Sequence, residues 1–116
     1  MREEAGHDTI PELYPKPGEP VVDKPGKGAF ANTDFGLLLR VREIRNLVIC
    51  GVTTDVCVHT TMREANDRGY DCLLVEDCCT AAEHRFHVAA VEMVKGEGGA
   101  FGAVGTAQDL IDAVNR

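Results

Sequence analysis

A cysteine and a lysine of this sequence lie where catalytic groups are commonly found. Cys57 follows an apolar segment, residues 47–50, and a glycine-containing loop, at the point where the next helix is expected to begin. The N–H groups and the helix dipole at such a position favour a thiolate, which can attack a carbonyl carbon. The same N–H groups could hold the resulting oxyanion. Position alone leaves a second interpretation open, in which Cys57 is a small buried hydrophobic residue.

Lys24 follows another short apolar segment, residues 20–23, and precedes Pro25 and Gly26, which favour a turn. A lysine close to the thiol would favour its ionised form and could polarise a carbonyl group. For an arbitrary lysine, however, a solvated side chain on a loop is the ordinary interpretation.

Four apolar segments and four helical patterns alternate along the chain, and they predict the elements that position these groups. The segments have the length and composition of buried strands; they are residues 20–23, 46–50, 71–76 and 100–104. Helical spacing of apolar residues follows each one, and Thr80 and Thr106 are candidate caps of the last two helices. The alternation predicts an α/β fold with a mostly parallel sheet flanked by helices. Ligands bind such sheets at the carboxyl ends of the strands, which both Lys24 and Cys57 follow.

The composition restricts the classes of function. The 116 residues suffice for one domain, and their hydrophobic fraction of 44% is typical of a globular protein. A net charge of −7, with four Phe, two Tyr and no Trp, argues against a nucleic acid or an anionic membrane as partner. The five cysteines are an odd number without a CxxC pair, which favours a reducing compartment over a disulfide framework.

The beginning of the chain differs from the rest. Residues 1–19 contain three prolines within a short stretch and predict an extended arm, whereas residues 20–116 carry the predicted domain. No apolar stretch approaches the roughly 18 residues of a membrane span, and the N-terminus lacks the apolar region of a signal peptide. We therefore expect a cytoplasmic protein.

Two motifs resemble a known family. The run VVDKPGKGAF contains K-P-x-x-x-A-F, and GVTTDVCV follows with its cysteine 33 positions after Lys24. Both motifs and this spacing resemble the isochorismatase-like cysteine hydrolases, which are built on a Rossmann-like sheet, and within them the branch of biuret hydrolases and ureidoacrylate amidohydrolases. The similarity extends from about residue 6 to the C-terminus.

The resemblance implies a cysteine-dependent amidohydrolase that cleaves a C–N bond of a small ureide or linear amide through a thioester. In this interpretation Cys57 is the nucleophile, Lys24 is the catalytic lysine, and the peptide bond between Val52 and Thr53 is cis. The N–H groups of Thr53 and Cys57 would then form the oxyanion hole. The family also implies that no cofactor is needed and that the protein is a homo-oligomer.

Part of the family pattern has no counterpart in this sequence. The family has an aspartate base in an N-terminal D-x-Q segment, and the stretch around Asp8 corresponds to a later part of the family sequence. In the family strand order 3-2-1-4-5-6, residues 20–23 correspond to strand 3 and residues 47–50 to strand 4, so strands from the middle of the sheet are missing. The alternative is therefore a truncated or degenerate, inactive module that associates through its exposed sheet.

Further residues are weaker candidates. The candidate substrate-binding residues are Lys27, Phe30 and Glu97. Glu97 takes the place of a glutamine in the biuret hydrolase branch. The alternative for Phe30 is packing in the core, and the alternative for Glu97 is a solvated position on a loop. His59 is two residues from Cys57 and would not face it. A metal site is not expected, because the spacing of the remaining histidines and vicinal cysteines matches no usual zinc pattern; these residues are His84, His87, Cys78 and Cys79.

Overall fold

The computed structural model describes residues 8–116, in which short helices alternate with strands. The strands are β1 (Asn46–Val52), β2 (Asp71–Thr80) and β3 (Ala103–Gly105). The helices are α1 (Phe35–Val41), α2 (His59–Asp67), α3 (His84–Lys95) and α4 (Ala107–Val114). A five-residue π-helical turn, Thr54–Val58, joins β1 to α2, and 3-10 turns occupy Pro11–Leu13 and Gly96–Gly98. None of the described helices is long and apolar enough to cross a membrane.

The three strands form a parallel sheet in the order β1-β2-β3. The register pairs Leu47 with Cys72 and Val48 with Leu73, then shifts after Ile49 so that Gly51 pairs with Cys79. Residues 75–78 therefore form an irregular stretch opposite Cys50. The predicted α/β fold with a parallel sheet and flanking helices is confirmed.

Two strand predictions need correction. Residues 20–23 were predicted as a strand, but they belong to no strand or helix. A strand forms only where a neighbouring strand pairs with it, and among the described residues the sheet consists of β1, β2 and β3 alone. The last predicted strand, residues 100–104, is reduced to Ala103–Gly105, because Gly99 and Gly102 adopt positive φ angles and form a turn.

The helix caps were predicted with mixed success. Thr106 accepts a hydrogen bond from the Asp109 N–H, and the Asp109 side chain accepts one from the Thr106 N–H, which is a complete capping box for α4. Thr80 is instead the last residue of β2, and α3 begins after Glu83 without a side-chain cap. Thr80 is therefore unavailable as a cap because the strand extends further than the apolar pattern indicated.

One face of the sheet carries the core. Met62 of α2, Leu74 of β2 and Val94 of α3 are at most 1% exposed, and Phe30 and Leu39 pack into the same cluster. The opposite face is open along β1, where Val48 and Val52 are 51% and 64% exposed. Among the described residues β1 is also an edge strand, so both its outer face and its free edge can contact another chain. In the predicted arm, the described residues contain the 3-10 turn Pro11–Leu13 and a second turn at Pro17 and Gly18, and residues 1–7 lie outside the described part.

Candidate active site

The structure brings the two predicted catalytic side chains together. Lys24 Nζ lies 3.5 Å from Cys57 Sγ. The same ammonium group donates to the carbonyl oxygens of Gly26 and Lys27, at 3.0 and 2.8 Å. An ammonium has three donors, and these three acceptors match them. The loop after Lys24 thus folds back around its own side chain and aims it at the thiol.

The loop that carries Lys24 is anchored to α2 and the core. Gly28 is buried and packs so closely that a Cβ atom there would lie 3.0 Å from Thr60 Cγ2. The next residue, Ala29, donates its N–H to Thr61 Oγ1 at 3.1 Å. These contacts explain why a loop with an exposed lysine can hold that lysine beside Cys57.

The turn before Cys57 has an unusual backbone. The peptide bond between Val52 and Thr53 is cis, at the position that the family resemblance implies. In an α-helix the Thr53 carbonyl would accept from the N–H of Cys57; here it accepts from Val56 and Val58, at 3.2 and 3.1 Å. The π-helical turn thereby removes the Thr53 carbonyl as the acceptor of the Cys57 N–H, and such turns are often found at functional sites.

A side-chain hydrogen bond between residues distant in the sequence holds the turn against α3. Thr54 is 1% exposed, and its hydroxyl lies 2.7 Å from His87 Nδ1 of α3. Neither residue was predicted to position the site, since they are 33 positions apart and no local pattern links a threonine to a histidine across the fold. The adjacency becomes visible only when α3 packs against the turn.

The other cysteines differ from Cys57 in their surroundings. Burial raises the pKa of Cys72, and the neighbouring Asp71 adds to that shift. Burial also raises the pKa of Cys79, whose thiol donates to the Val75 carbonyl at 3.4 Å. Since the thiolate is the nucleophilic form, these two thiols are poorly suited to attack a carbonyl.

The predicted substrate-binding residues are not gathered at one place. Lys27 follows Lys24 in the same loop; its carbonyl holds the Lys24 ammonium, while its own side chain is exposed. Phe30 does not line a pocket: it is 4% exposed and packs on Phe35 in the core, with ring centroids 5.0 Å apart. Glu97 is exposed in the turn before β3, at the amino ends of the strands, whereas Cys57 follows the carboxyl end of β1.

The histidines have structural contacts. His84 and His87 stack with centroids 5.9 Å apart, but His87 is engaged by Thr54. Within residues 8–116 no group of three His, Cys, Asp or Glu side chains is arranged to hold a metal ion. His59 receives a hydrogen bond from Arg63 Nε at 3.3 Å and packs edge-on against Phe101.

Many known proteins are similar to this chain. The sequence model of the isochorismatase domain matches residues 1–109. Ureidoacrylate amidohydrolase RutB of Enterobacter sp. strain 638 is 36% identical over 110 residues, which cover 94% of this chain and 46% of the relative.

Solved structures give the same result. An isochorismatase-like hydrolase from Alkaliphilus metalliredigens is 31% identical with a TM-score of 0.88, and the match covers 97% of this chain and 59% of that one. N-carbamoylsarcosine amidase from Thermoplasma acidophilum is 26% identical with a TM-score of 0.76, and the match covers 91% and 58%.

The chain therefore belongs to the isochorismatase family, as its motifs predicted. It spans about half the length of the curated relative above and under two thirds of each solved structure.

Proposed function

We propose that this chain provides the nucleophile and lysine of a cysteine-dependent amidohydrolase that cleaves a C–N bond of a small ureide or linear amide. The observation that carries the proposal is the 3.5 Å contact between Lys24 Nζ and Cys57 Sγ beside the π-helical turn. The names of two relatives, ureidoacrylate amidohydrolase and N-carbamoylsarcosine amidase, support a ureide-like substrate such as biuret.

The reaction would proceed in two steps. The Cys57 thiolate attacks the substrate carbonyl, and the N–H groups of Thr53 and Cys57 stabilise the oxyanion. The C–N bond then breaks, the nitrogen takes up a proton and leaves as ammonia or an amine, and a thioester remains. Water attacks this thioester, releasing the acid and restoring the thiol. Lys24 stabilises the thiolate and orients the carbonyl group, so no cofactor is required.

The mechanism also needs a base that accepts the proton of the Cys57 thiol. The family uses an aspartate of an N-terminal D-x-Q segment, which this sequence lacks. We propose that another carboxylate of this chain, or of a second copy in the homo-oligomer, takes that role. The second candidate function is that of an inactive module, and the exposed edge and face of β1 favour it, because an unpaired strand promotes association over catalysis.

Ammonia release distinguishes the two candidates. We expect the 116-residue chain to release ammonia from biuret or ureidoacrylate, Cys57→Ala to release none, and Cys78→Ala, which changes an exposed thiol, to retain the wild-type rate. Trapping of the thioester at Cys57 by mass spectrometry would identify the nucleophile directly. Equal activity of Cys57→Ala would exclude the cysteine mechanism, and no turnover by the wild-type chain would favour the inactive module.

We further propose a cytoplasmic homo-oligomer whose partner is a small amide or ureide. The family matches and the two relatives' names support a metabolic substrate. Within this proposal, Lys27 lies next to the catalytic lysine and can contact an anionic substrate group. Glu97 would reach a substrate only from another edge of the sheet, and its part in binding stays a prediction.

A further inference from the structure

A small pocket lies between the turn that carries Cys57 and the outer flank of α3. Its volume is about 160 Å³. Asp55 and His59 line one side, and the other side is apolar and formed by Phe86, Ala89, Ala90 and Met93. Neither Lys24 nor Cys57 lines it, since residues two positions apart on a helical turn point to different sides. The pocket is therefore separate from the proposed catalytic site.

Two buried polar atoms in this pocket have no hydrogen-bond partner. Asp55 Oδ1 and His59 Nε2 are both shielded from solvent, and no group of residues 8–116 bonds to either of them. Buried polar atoms in folded proteins nearly always have a partner, so each atom without one requires an explanation. Asp55 and His59 are four positions apart, a spacing that places both side chains on one face.

The contacts of His59 determine which ring nitrogen carries the proton. Arg63 Nε donates to Nδ1, so in the neutral ring the hydrogen is on Nε2. Burial, together with the Arg63 charge, lowers the pKa of His59 and keeps the ring neutral at neutral pH. The Ala90 carbonyl partly opposes this shift, but its geometry falls short of a hydrogen bond to Nε2. Nε2–H and Asp55 Oδ1 are thus one unpaired donor and one unpaired acceptor on two residues that line the pocket.

We propose that this pocket binds the carboxamide or urea group of a small molecule. The ligand carbonyl would accept from His59 Nε2–H, its N–H would donate to Asp55 Oδ1, and its apolar substituent would pack on Phe86 and Met93. A carboxylate is repelled by Asp55, and an ammonium leaves Nε2–H unpaired, so an amide satisfies both atoms best. Met93 is unbranched and 55% exposed, so its side chain can move aside to admit the ligand.

The proposal can be tested without turnover. The Cys57→Ala chain, labelled with ¹⁵N, is titrated with propionamide, N,N-dimethylpropionamide and propionate while amide and imidazole NMR signals are recorded. We expect saturable shifts at residues 55–59 and 86–93 with propionamide only. Equal binding of the dimethylated amide, which has no N–H donor, would overturn the proposal, as would shifts that do not saturate.

Variants then locate the binding site. Asp55→Ala and His59→Phe each remove one of the two unpaired atoms, and we expect each to weaken propionamide binding by about tenfold or more. Asp67→Ala changes an exposed aspartate of the same helix outside the pocket and should bind as the parent does. Unchanged affinity in both pocket variants would refute the site. The titration with the three ligands uses no pocket variant, so it tests the proposal even if a pocket variant fails to fold.

Discussion

The Lys24 ammonium is the charged group at the centre of the candidate site, and three contacts hold it in place. The Lys24 ammonium has two backbone carbonyls and one thiol as acceptors, so its position is fixed by backbone rather than by a carboxylate. In the proposed mechanism, a cation held in this way activates the Cys57 thiol, and its two backbone contacts keep it in place beside Sγ.

Replacing this lysine should slow the reaction of Cys57 with an electrophile. We expect Lys24→Met to lower the rate of Cys57 alkylation by iodoacetamide at neutral pH roughly three- to tenfold, because the nearby positive charge is lost. The rate is measured by mass spectrometry of the Cys57 peptide. Lys27→Met is the matched control, since only the backbone carbonyl of Lys27 contacts the ammonium. An unchanged rate in Lys24→Met would show that the lysine does not activate the thiol.

His59 should make stability dependent on pH. Its folded pKa is lowered from 6.5 by burial, then by the Arg63 charge. The unfolded chain therefore binds more protons in the window below 6.5, and the free energy of unfolding falls as the pH drops through it. Urea unfolding followed over this range should show a weaker pH dependence for His59→Phe than for the wild type. A dependence of equal size in both proteins would assign it to other groups.

At the scale of elements, the site depends on the packing of α3 against the π-helical turn. Thr54 and His87 connect these two elements, and Thr54 is almost completely buried. A turn with a cis peptide bond on one side and a helix on the other is thus held by a side-chain bond from a separate element. The position of Cys57 consequently depends on residues far from it in the sequence.

Removing that bond should loosen the turn. We expect Thr54→Val, which keeps the shape of the side chain, to lower the free energy of unfolding by about 1–2 kcal/mol, because His87 loses its partner. Chemical denaturation measures the difference. Thr60→Val is the control: Thr60 is exposed on α2, and its hydroxyl has no hydrogen bond within the described part of the chain. If both variants lose the same stability, the bond to His87 is not what matters.

At the scale of the whole molecule, the sheet has one protected and one open side. Helices α2 and α3 cover the face that includes Leu74, while Val48 and Val52 of β1 are exposed on the other. Among the described residues, the outer edge of β1 pairs with no strand and adjoins this exposed face. A surface of this kind favours association with a second chain.

Charges on β1 should prevent this association. We expect the double variant Val48→Lys and Val52→Lys to shift the chain toward the monomer in analytical ultracentrifugation, because lysines at an edge strand oppose pairing and do not fill the core. Leu37→Lys is the control, since Leu37 is 53% exposed on α1 and belongs to no strand. If the wild type is already monomeric, or both proteins associate equally, the β1 surface is not the interface.

The sequence by itself determined the local features. Alternating apolar segments predicted the parallel sheet and its helices, and Thr106 was predicted as the cap of the last helix. Two motifs singled out Lys24 and Cys57, of which Cys57 follows a strand, whereas Lys24 does not. Each of these depends on near neighbours or on a recognisable spacing. This is why the fold class, the family and the residues of the candidate pair could be predicted.

The tertiary structure decided what distant packing controls. It removed residues 20–23 from the sheet, because a strand exists only where a neighbour pairs with it. It placed Phe30 in the core, joined Thr54 to His87, and left Asp55 and His59 without partners beside a pocket. Such contacts depend on side chains brought together from separate elements, and no local pattern encodes which of them will meet.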